Sequence, residues 1–307
     1  MNILVTGGAG FIGSHIARAC LEAHHKVTVL DNLSAGSREA VPQGAAFYQM
    51  DLRDPEVLNV LKKEKIEAIN HHAAQISVHQ SVADPVFDAN SNIIGTLQLL
   101  QNAVNCGVQK FVFASTGGAV YGEQDCFPAG EDHPCRPLTP YAIAKLCVEH
   151  YLAFYRRNFD LNYAVLRYSN VFGPGQNSHG EAGVVAIFCQ RLNAGKPLVI
   201  FGDGGQTRDF ISVRDVVKAN LLALKPECQG TFNVGTAKET SVKALAERLV
   251  KLSGRNSRIE FAAPRHYEQR RSSIDYGKLN KSFGWKPELS LEEGLSETLD
   301  YFSNEAH

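Results

Sequence analysis

Tyr141 and Lys145 are the two residues whose types and spacing best suit chemistry in this sequence. They follow Pro140 and lie four positions apart, which places both side chains on one face of a helix. A phenol acts as a base at pH 7 only if its pKa falls by about 3 units, or about 4 kcal/mol. A neighbouring ammonium favours the phenolate, so the pair predicts a site that takes a proton from a hydroxyl. The spacing alone is weak, because the chain has ten tyrosines.

Two hydroxyl residues, Ser115 and Thr116, precede this helix and follow the apolar run at 110–114. The run predicts a buried strand, so both hydroxyls are expected at its carboxyl end. Open α/β sheets bind their ligands at that edge. The order of strand, hydroxyl pair and Tyr/Lys helix favours a catalytic role for these residues.

A glycine-rich stretch at residues 6–15 stands directly behind the apolar run 3–5. A strand that enters glycines three apart and then a helix leaves backbone N–H groups free at the helix N-terminus, where a pyrophosphate binds. Gly7 permits the tight turn, Gly10 lets the backbone approach phosphate, and Gly13 lets the helix pack closely. The whole context predicts dinucleotide binding.

Asp31 ends the next predicted strand, at the position where such folds bind the adenosine ribose. Its charge repels a 2′-phosphate, and Asn32 rather than arginine follows it, so NAD is favoured over NADP. Arg38 in the same loop leaves room for NADP. The alternative interpretation of Asp31 is a solvated loop acid or a turn-forming residue.

Polar and small residues also follow the next two predicted strands, as Asp51-Leu52 and as His71-His72-Ala73-Ala74-Gln75. Small residues there leave room for a ligand. The histidine pairs 24/25 and 71/72 raise the question of a metal. Adjacent strand residues point to opposite faces, so we expect structural histidines and no metal site.

Short β-branched runs alternate with helical patterns up to about residue 115, which predicts a doubly wound, Rossmann-like parallel sheet with helices on both faces. We expect strands at 2–6, 27–31, 46–50, 67–71 and 109–114. Helices are expected at 11–23, 55–65, 85–106, 241–253 and 291–303, with a separate turn at 80–85. The predicted domains are 1–170 for the dinucleotide, with a return of the chain around 208–233, and a smaller lobe at 171–307 for the substrate.

The composition fits a globular protein of 307 residues with 44% hydrophobic residues. A net charge of −1 gives no basic surplus for nucleic acid or an anionic membrane. The seven cysteines are scattered without C-x-x-C spacing, which favours reduced thiols and a cytoplasmic location. No run reaches the roughly 20 apolar residues that span a bilayer.

Taken together, the motifs resemble the extended short-chain dehydrogenase/reductase family over essentially the whole chain, and within it the UDP-glucose 4-epimerases. The shared pieces are GGAGFIGSH, DNLS, HHAA, NIIGT at 92–96, STGGAVYGE, PYAIAK, LRYSNVFGPGQ at 166–176, EAGVVAIF at 181–188, IFGDGGQTRDFI at 200–211, FNVG at 232–235 and the GWKP-LEEGL ending. Related dehydratases and decarboxylases carry acids where this chain has Gly117, Gly118 and Ala119, so the proton donor for those reactions is missing.

The resemblance implies a bound NAD and assigns residues to it. Those implied to contact NAD are Gly7, Gly10, Phe11, Ile12, Gly13, Asp31, Asn32, Asp51, Leu52, Ala73, Ala74, Gln75, Asn92, Ser115, Tyr141, Lys145 and Tyr168. The implied catalytic residues are Thr116, Tyr141 and Lys145. Many family members have a third serine where this chain has Gly117, so Thr116 takes over the bond to the sugar hydroxyl, with a bridging water as the alternative.

The resemblance also implies a UDP-sugar site. Its residues are Thr116, Asn170, Val184, Phe201, Arg208, Arg265, Glu268 and Ser272. Arg208 is expected on phosphate, with an ion pair to Asp203 or Asp209 as the alternative. The family usually shows Arg-x-Gly-Asp at 265–268, whereas this chain has Arg-His-Tyr-Glu. Ser272 falls where a small residue accompanies acceptance of N-acetylated sugars.

The function expected from this resemblance is 4-epimerisation of a UDP-hexose through a 4-keto intermediate, by a homodimer that associates through the helix ending near Cys106 and the Tyr141 helix. The open alternatives are epimerisation of a related substrate such as a UDP-uronic acid, and a non-catalytic protein that binds NAD or a nucleotide sugar.

Overall fold

The structure is a computed structural model that describes residues 1–177, 183–264 and 269–304. Its strands are β1 (Asn2–Thr6), β2 (Lys26–Asp31), β3 (Ala46–Gln49), β4 (Ala68–His71), β5 (Lys110–Thr116), β6 (Asn162–Tyr168), β7 (Asn170–Phe172), β8 (Leu198–Phe201), β9 (Thr207–Arg208), β10 (Phe210–Ser212), β11 (Gly230–Val234), β12 (Thr240–Ser241) and β13 (Ile259–Ala262). Its helices are α1 (Phe11–Glu22), α2 (Val57–Lys63), α3 (Val78–Ala83), α4 (Pro85–Ala89), α5 (Gly95–Asn105), α6 (Pro140–Phe159), α7 (Val184–Asn193), α8 (Val213–Ala223), α9 (Val242–Ser253), α10 (Gly277–Phe283) and α11 (Leu291–Asn304).

Seven strands form one sheet in the order β3-β2-β1-β4-β5-β6-β11. The pairs β1–β2, β2–β3, β1–β4 and β4–β5 are parallel. Strand order runs in opposite directions from β1, so the carboxyl ends of β1 and β4 flank a topological switch point. The predicted doubly wound, Rossmann-like fold is confirmed.

The five predicted strands are present, with ends that differ from the expected ones by up to two residues. Their interiors are buried apolar residues, as in β1, where Ile3, Leu4 and Val5 are completely buried. Such continuous apolar runs are typical of a sheet covered on both faces, which is why local sequence located them.

The region from 78 to 105 differs from the prediction of one turn and one long helix. Residues 78–83 are helical (α3), and α4 is followed by a π-helical turn, Asn90–Ile94, that leads into α5. Ser77 and Asp84 cap α3 and α4 by accepting from Gln80 N and Phe87 N. These caps allow two short helices where Pro85 indicated only a break.

Contacts divide the chain into two compact units. The first comprises Met1–Val120, Pro137–Arg167 and Val217–Phe232, and the second comprises Tyr121–Arg136, Tyr168–Val216 and Asn233–His307. The core of the first unit lies between the sheet and its helices, around Leu99, Phe111 and Leu152. The core of the second joins α7, α9 and α11 around Phe172, Phe188 and Leu245. Within the described ranges no helix is both long and apolar enough to cross a membrane.

Candidate active site

The glycine loop is built by close backbone contacts. Gly7 has φ +67°, and a Cβ there would lie 2.6 Å from Ala73 N, so the loop rests directly on the chain that follows β4. A Cβ on Gly13 would lie 2.2 Å from Gly7 O. Gly13 was predicted to let the helix pack closely. The structure shows that α1 packs at this position against the backbone of the glycine loop.

Gly10 is enclosed less tightly than Gly7 and Gly13. A Cβ there would meet only Gly7 O, at 3.3 Å. Gly10 is also the N-cap of α1, with no side-chain capping bond and no acid in the first turn of the helix. Phe11 and Ile12, half-buried, begin that turn. An open backbone at the positive end of a helix fits a diphosphate.

Asp31 is buried and holds two segments around this loop. Its Oδ2 accepts from Ala9 N at 3.0 Å and its Oδ1 accepts from Leu33 N at 2.8 Å. The carboxylate that sequence placed at the ribose thus also fixes the glycine loop, which argues against a merely solvated acid.

The neighbouring polar residues form a second cluster. Asp51 accepts from Arg53 Nε at 2.7 Å, from Arg53 Nη2 at 2.9 Å and from Asn32 Nδ2 at 3.2 Å. Arg53 lowers the pKa of Asp51 to about 2. Leu52 is buried. The Arg38 guanidinium lies 4.4 Å from the centre of the Phe47 ring, so its known contact is with that ring.

Lys145 is buried beneath Tyr141 on α6. Its Nζ donates to Ala114 O at 2.9 Å and lies 5.9 Å from the centre of the Tyr141 ring and 4.8 Å from that of Phe113. Thr139 caps α6 by accepting from Ala142 N, and Pro140 begins the helix. This local capping aims Tyr141 and Lys145 at the end of β5.

The protein's own groups work against a phenolate. Burial, and then the charge of Asp88, raise the pKa of Tyr141 above its usual value. Burial lowers the pKa of Lys145 to about 8. The neighbouring ammonium of Lys145 therefore does not by itself lower the pKa of Tyr141 as the sequence predicts, and a bound cofactor with a positive ring would favour the phenolate further.

Ser115, predicted to contact the cofactor, is hydrogen-bonded to a carboxylate of α6. Its Oγ donates to Glu149 Oε1 at 2.5 Å, and Glu149 accepts from Arg167 Nη2 at 2.6 Å. All three side chains are buried, so the Ser115 hydroxyl proton is held by Glu149 and only the lone pairs of Oγ are left to accept a further hydrogen bond. Thr116 ends β5 half-exposed, and its carbonyl accepts from Val120 N.

Asn92 and Gln75 lie together behind the loop after β4, where Ala73 and Ala74 are half-buried. Asn92 Oδ1 accepts from Gln75 N, and Asn92 Nδ2 donates to Gln75 O. Both side-chain amides donate to Asp88 Oδ1 at 2.9 Å. Sequence analysis did not identify Asp88 as part of this cluster. Its position four residues before Asn92 indicates a shared helix face and could have done so.

His71 is a buried structural residue, as predicted. Its Nδ1 lies 2.6 Å from Thr6 Oγ1 and its Nε2 lies 2.9 Å from Thr96 Oγ1. Burial lowers its pKa well below 6.5 and lowers that of His72 to about 3. Among the described residues no cluster of three His, Cys, Asp or Glu side chains could hold a metal ion.

The second unit contains the residues implied for the nucleotide sugar. Asn170 is exposed and Val184 begins α7, where backbone N–H groups lack helical partners. Arg208 is half-buried, and its Nη1 donates to Thr207 O at 2.8 Å. Of the two acids considered as its ion-pair partners, Asp203 accepts from both Nη atoms of Arg270, and Asp209 accepts from the backbone and hydroxyl of Thr236.

Phe201 lines a cavity of about 480 Å³, together with Gly202, Asp203, Gln206, Ala262, Pro264 and Arg270. Ser272 and Tyr168 are buried, with 2% and 5% of their surfaces exposed. Gln124, at the start of the second unit, accepts from Ser273 N and so holds the segment that carries Ser272. The predicted residues Arg265 and Glu268 lie outside the described part of the chain.

The fold and the first-unit site define an enzyme that binds a dinucleotide beside a tyrosine and lysine pair. The chain belongs to the NAD dependent epimerase/dehydratase family, whose model matches residues 3–235.

Solved structures of three similar proteins extend the comparison. The UDP-glucose 4-epimerase of Thermotoga maritima, solved with UDP-glucose, is 46% identical with a TM-score of 0.98, and each chain covers 100% of the other. That of Thermus thermophilus, in complex with NAD, is 43% identical with a TM-score of 0.94 over 98% of this chain and 99% of that one. The UDP-N-acetylglucosamine 4-epimerase of Methanobrevibacter ruminantium, in complex with UDP-N-acetylmuramic acid, is 34% identical with a TM-score of 0.94 over 99% and 98%.

Proposed function

We propose that this protein interconverts the 4-epimers of a UDP-hexose, UDP-glucose and UDP-galactose first among them, with NAD as its bound cofactor. The observation that carries the proposal is the Tyr141–Lys145 pair, positioned by α6 at the end of β5 in a fold with an open glycine loop. Full-length similarity to epimerases solved with UDP-glucose and with NAD supports it.

The residues fit a proton-transfer role in that reaction. Tyr141 takes the proton of the sugar 4-hydroxyl and later returns it, while Lys145 holds positive charge beside the phenol. Thr116, half-exposed at the end of β5, is the hydroxyl that binds the reacting oxygen. NAD, when bound, would supply the hydride chemistry that oxidises and then reduces C4 of the sugar.

Because both faces of the keto sugar must be presented in turn, the substrate has to be anchored by its nucleotide. Arg208 and Asn170 are proposed for the diphosphate, and the α7 N-terminus at Val184 and the ring of Phe201 for the uracil. Arg265 and Glu268 stay proposals from sequence for the same ligand. An Arg guanidinium suits phosphate because it donates two parallel hydrogen bonds.

The small buried Ser272 supports acceptance of N-acetylated sugars as well. The solved UDP-N-acetylglucosamine 4-epimerase shows that such specificity occurs on a chain of this fold. We therefore include UDP-N-acetylglucosamine among the proposed substrates.

A homodimer and a cytoplasmic location complete the proposal. Exposed apolar side chains on the first unit, including Val86, Ile143 and Phe154, support a partner-covered surface there. Cys20, Cys189 and Cys228 are buried free thiols, which suits a reducing compartment. Burial raises the pKa of Cys20 and Cys189 to about 12, so these two thiols stay protonated.

The test is NMR of the purified protein with UDP-galactose, UDP-N-acetylgalactosamine and UDP-galacturonate, with no cofactor added. We expect conversion of the first two and absorbance of bound NAD(H), with a loss of at least about 100-fold in rate for Tyr141→Phe. A need for stoichiometric NAD, or a Tyr141→Phe variant as active as wild type, would refute the proposal. Conversion of UDP-galactose alone would refute only the N-acetyl part.

A further inference from the structure

Asp88 is a buried carboxylate to which neither the proposed cofactor site nor the proposed substrate site assigns a role. Asp88 is on α4, which packs against α6, and only 1% of its surface is exposed. Its Oδ1 accepts from Gln75 Nε2 and from Asn92 Nδ2, both at 2.9 Å. Both donors are neutral amides, so these bonds fix the carboxylate without cancelling its charge. A buried negative charge is costly unless hydrogen bonds and an opposite charge compensate it.

We propose that Asp88 is a positioning residue whose negative charge sets the protonation states of Tyr141 and Lys145. It keeps the Lys145 ammonium charged in a buried place and, at the same time, opposes premature ionisation of the Tyr141 phenol. The inference deepens the proposed function and rests on it for the roles of the two residues.

The titratable groups on the elements around Asp88 leave Lys145 as the cation on which its negative charge acts. α6 presents Tyr141 and Lys145, while Glu149, one turn further, is already bound to Arg167. The π-helical turn at 90–94 carries no titratable side chain, and α3 carries His79 on its exposed surface. Burial lowers the pKa of Lys145 and raises that of Tyr141, and the charge of Asp88 opposes the first shift and adds to the second. Burial raises the pKa of Asp88 itself, and the Gln75 and Asn92 hydrogen bonds and the charge of Lys145 oppose that rise.

The hydrogen bonds of Asp88 allow its negative charge to be removed by substitution while its two contacts are kept. Both donors use one oxygen of Asp88, and the amide oxygen of asparagine can accept the same two bonds. Asp88→Asn thus removes the charge and preserves the contacts. With the charge gone, Tyr141 ionises at lower pH and Lys145 loses its proton at lower pH, so both limbs of the profile of kcat/KM against pH move in the acid direction.

The experiment uses the NAD-loaded protein labelled with [13Cζ]tyrosine. The Tyr141 signal, assigned by its loss in Tyr141→Phe, is titrated from pH 6 to 10 in wild type and in Asp88→Asn, and kcat/KM is measured over the same range. We expect the Tyr141 titration and both limbs to move down by roughly 0.5 to 1 pH unit in Asp88→Asn. Asp300→Asn, which removes an exposed carboxylate on α11, is the matched control and should move neither.

If Asp88→Asn fails to fold, Asp88→Ser provides the same neutralisation with a smaller acceptor and the same expected shift. A Tyr141 titration that stays at the wild-type pH in the neutral variant overturns the proposal, even if the rate falls. Because the NMR signal needs no turnover, an inactive wild type would refute the epimerase assignment without deciding the role of Asp88.

Discussion

Glu149 connects the proposed reacting residues of α6 to the sheet beneath them. It lies one turn beyond Lys145 on α6 and binds both Ser115 of β5 and Arg167 of β6. The Glu149 and Arg167 side chains are only 6% and 7% exposed, so neither charge has much solvent to replace a lost partner. The pair therefore fixes the helix that carries Tyr141 and Lys145 with respect to the strand that ends at Thr116.

Glu149→Gln tests this arrangement. The substitution leaves the Arg167 guanidinium charged and buried without a carboxylate, so we expect a loss of about 3–5 kcal/mol in the free energy of unfolding in urea at pH 7. Glu297→Gln breaks the exposed Arg214–Glu297 pair and should cost less than about 1 kcal/mol. Similar losses in the two variants would contradict a structural role for the buried pair.

These residues also show what sequence could predict at this scale. Tyr141 and Lys145 belong to one helix, so their spacing alone put them on one face. Glu149 shares that face of α6 by the same spacing, but its partner Arg167 lies eighteen residues further along the chain, on strand β6. The direction of the Ser115 hydroxyl was likewise unpredictable, because it depends on Glu149 and not on the neighbours of Ser115 in the chain.

At the scale of elements, the glycine loop was the best predicted part of the structure. Its role follows from φ angles and close backbone approaches that only glycine allows, and such constraints are local. The helices between 78 and 105 were predicted less well. Their breaks depend on the caps at Ser77 and Asp84 and on a π-helical turn, neither of which a hydrophobic period reveals.

Substitutions at two glycines of the loop should affect different quantities, the unfolding free energy at Gly13 and the affinity for NAD at Gly10. Gly13→Ala places a Cβ 2.2 Å from Gly7 O, so we expect a loss of about 1–3 kcal/mol in unfolding free energy of the nucleotide-free protein. Gly10→Ala meets only Gly7 O, at 3.3 Å, and should leave that free energy nearly unchanged while weakening NAD binding at least tenfold. Urea unfolding and a fluorescence titration with NAD measure the two effects.

Gly95→Ala is the matched control for these variants. Its Cβ would make ordinary contacts at 3.5 Å or more in α5, and alanine favours a helix by up to about 1 kcal/mol. We expect it to be neutral or stabilising. A Gly10→Ala protein that binds NAD as wild type does would remove the phosphate role from this loop.

On the scale of the whole molecule, the exposed apolar residues fall mainly on one of the two units. Ile76, Val86, Ile94, Ile143 and Phe154 all belong to the first unit and are 43% to 68% exposed. A helical surface of this composition is stable when a second copy covers it, and α6 carries both Tyr141 and part of this surface. Dimerisation would thus hold the catalytic helix from its outer side.

We therefore expect a solution mass of twice the chain mass of 33.6 kDa. Phe154 is 50% exposed on α6, and Phe154→Glu puts a charge into the proposed interface, so sedimentation should give the mass of a single chain.

Leu252 is 42% exposed on α9 in the second unit, and Leu252→Glu should keep the dimer. A wild-type protein that sediments as one chain at micromolar concentration would refute the proposed dimer, and a Leu252→Glu monomer would move the interface to the second unit. If the dimer forms through α6, Phe154→Glu should also lower the rate of epimerisation, because the helix that presents Tyr141 loses the surface packed behind it.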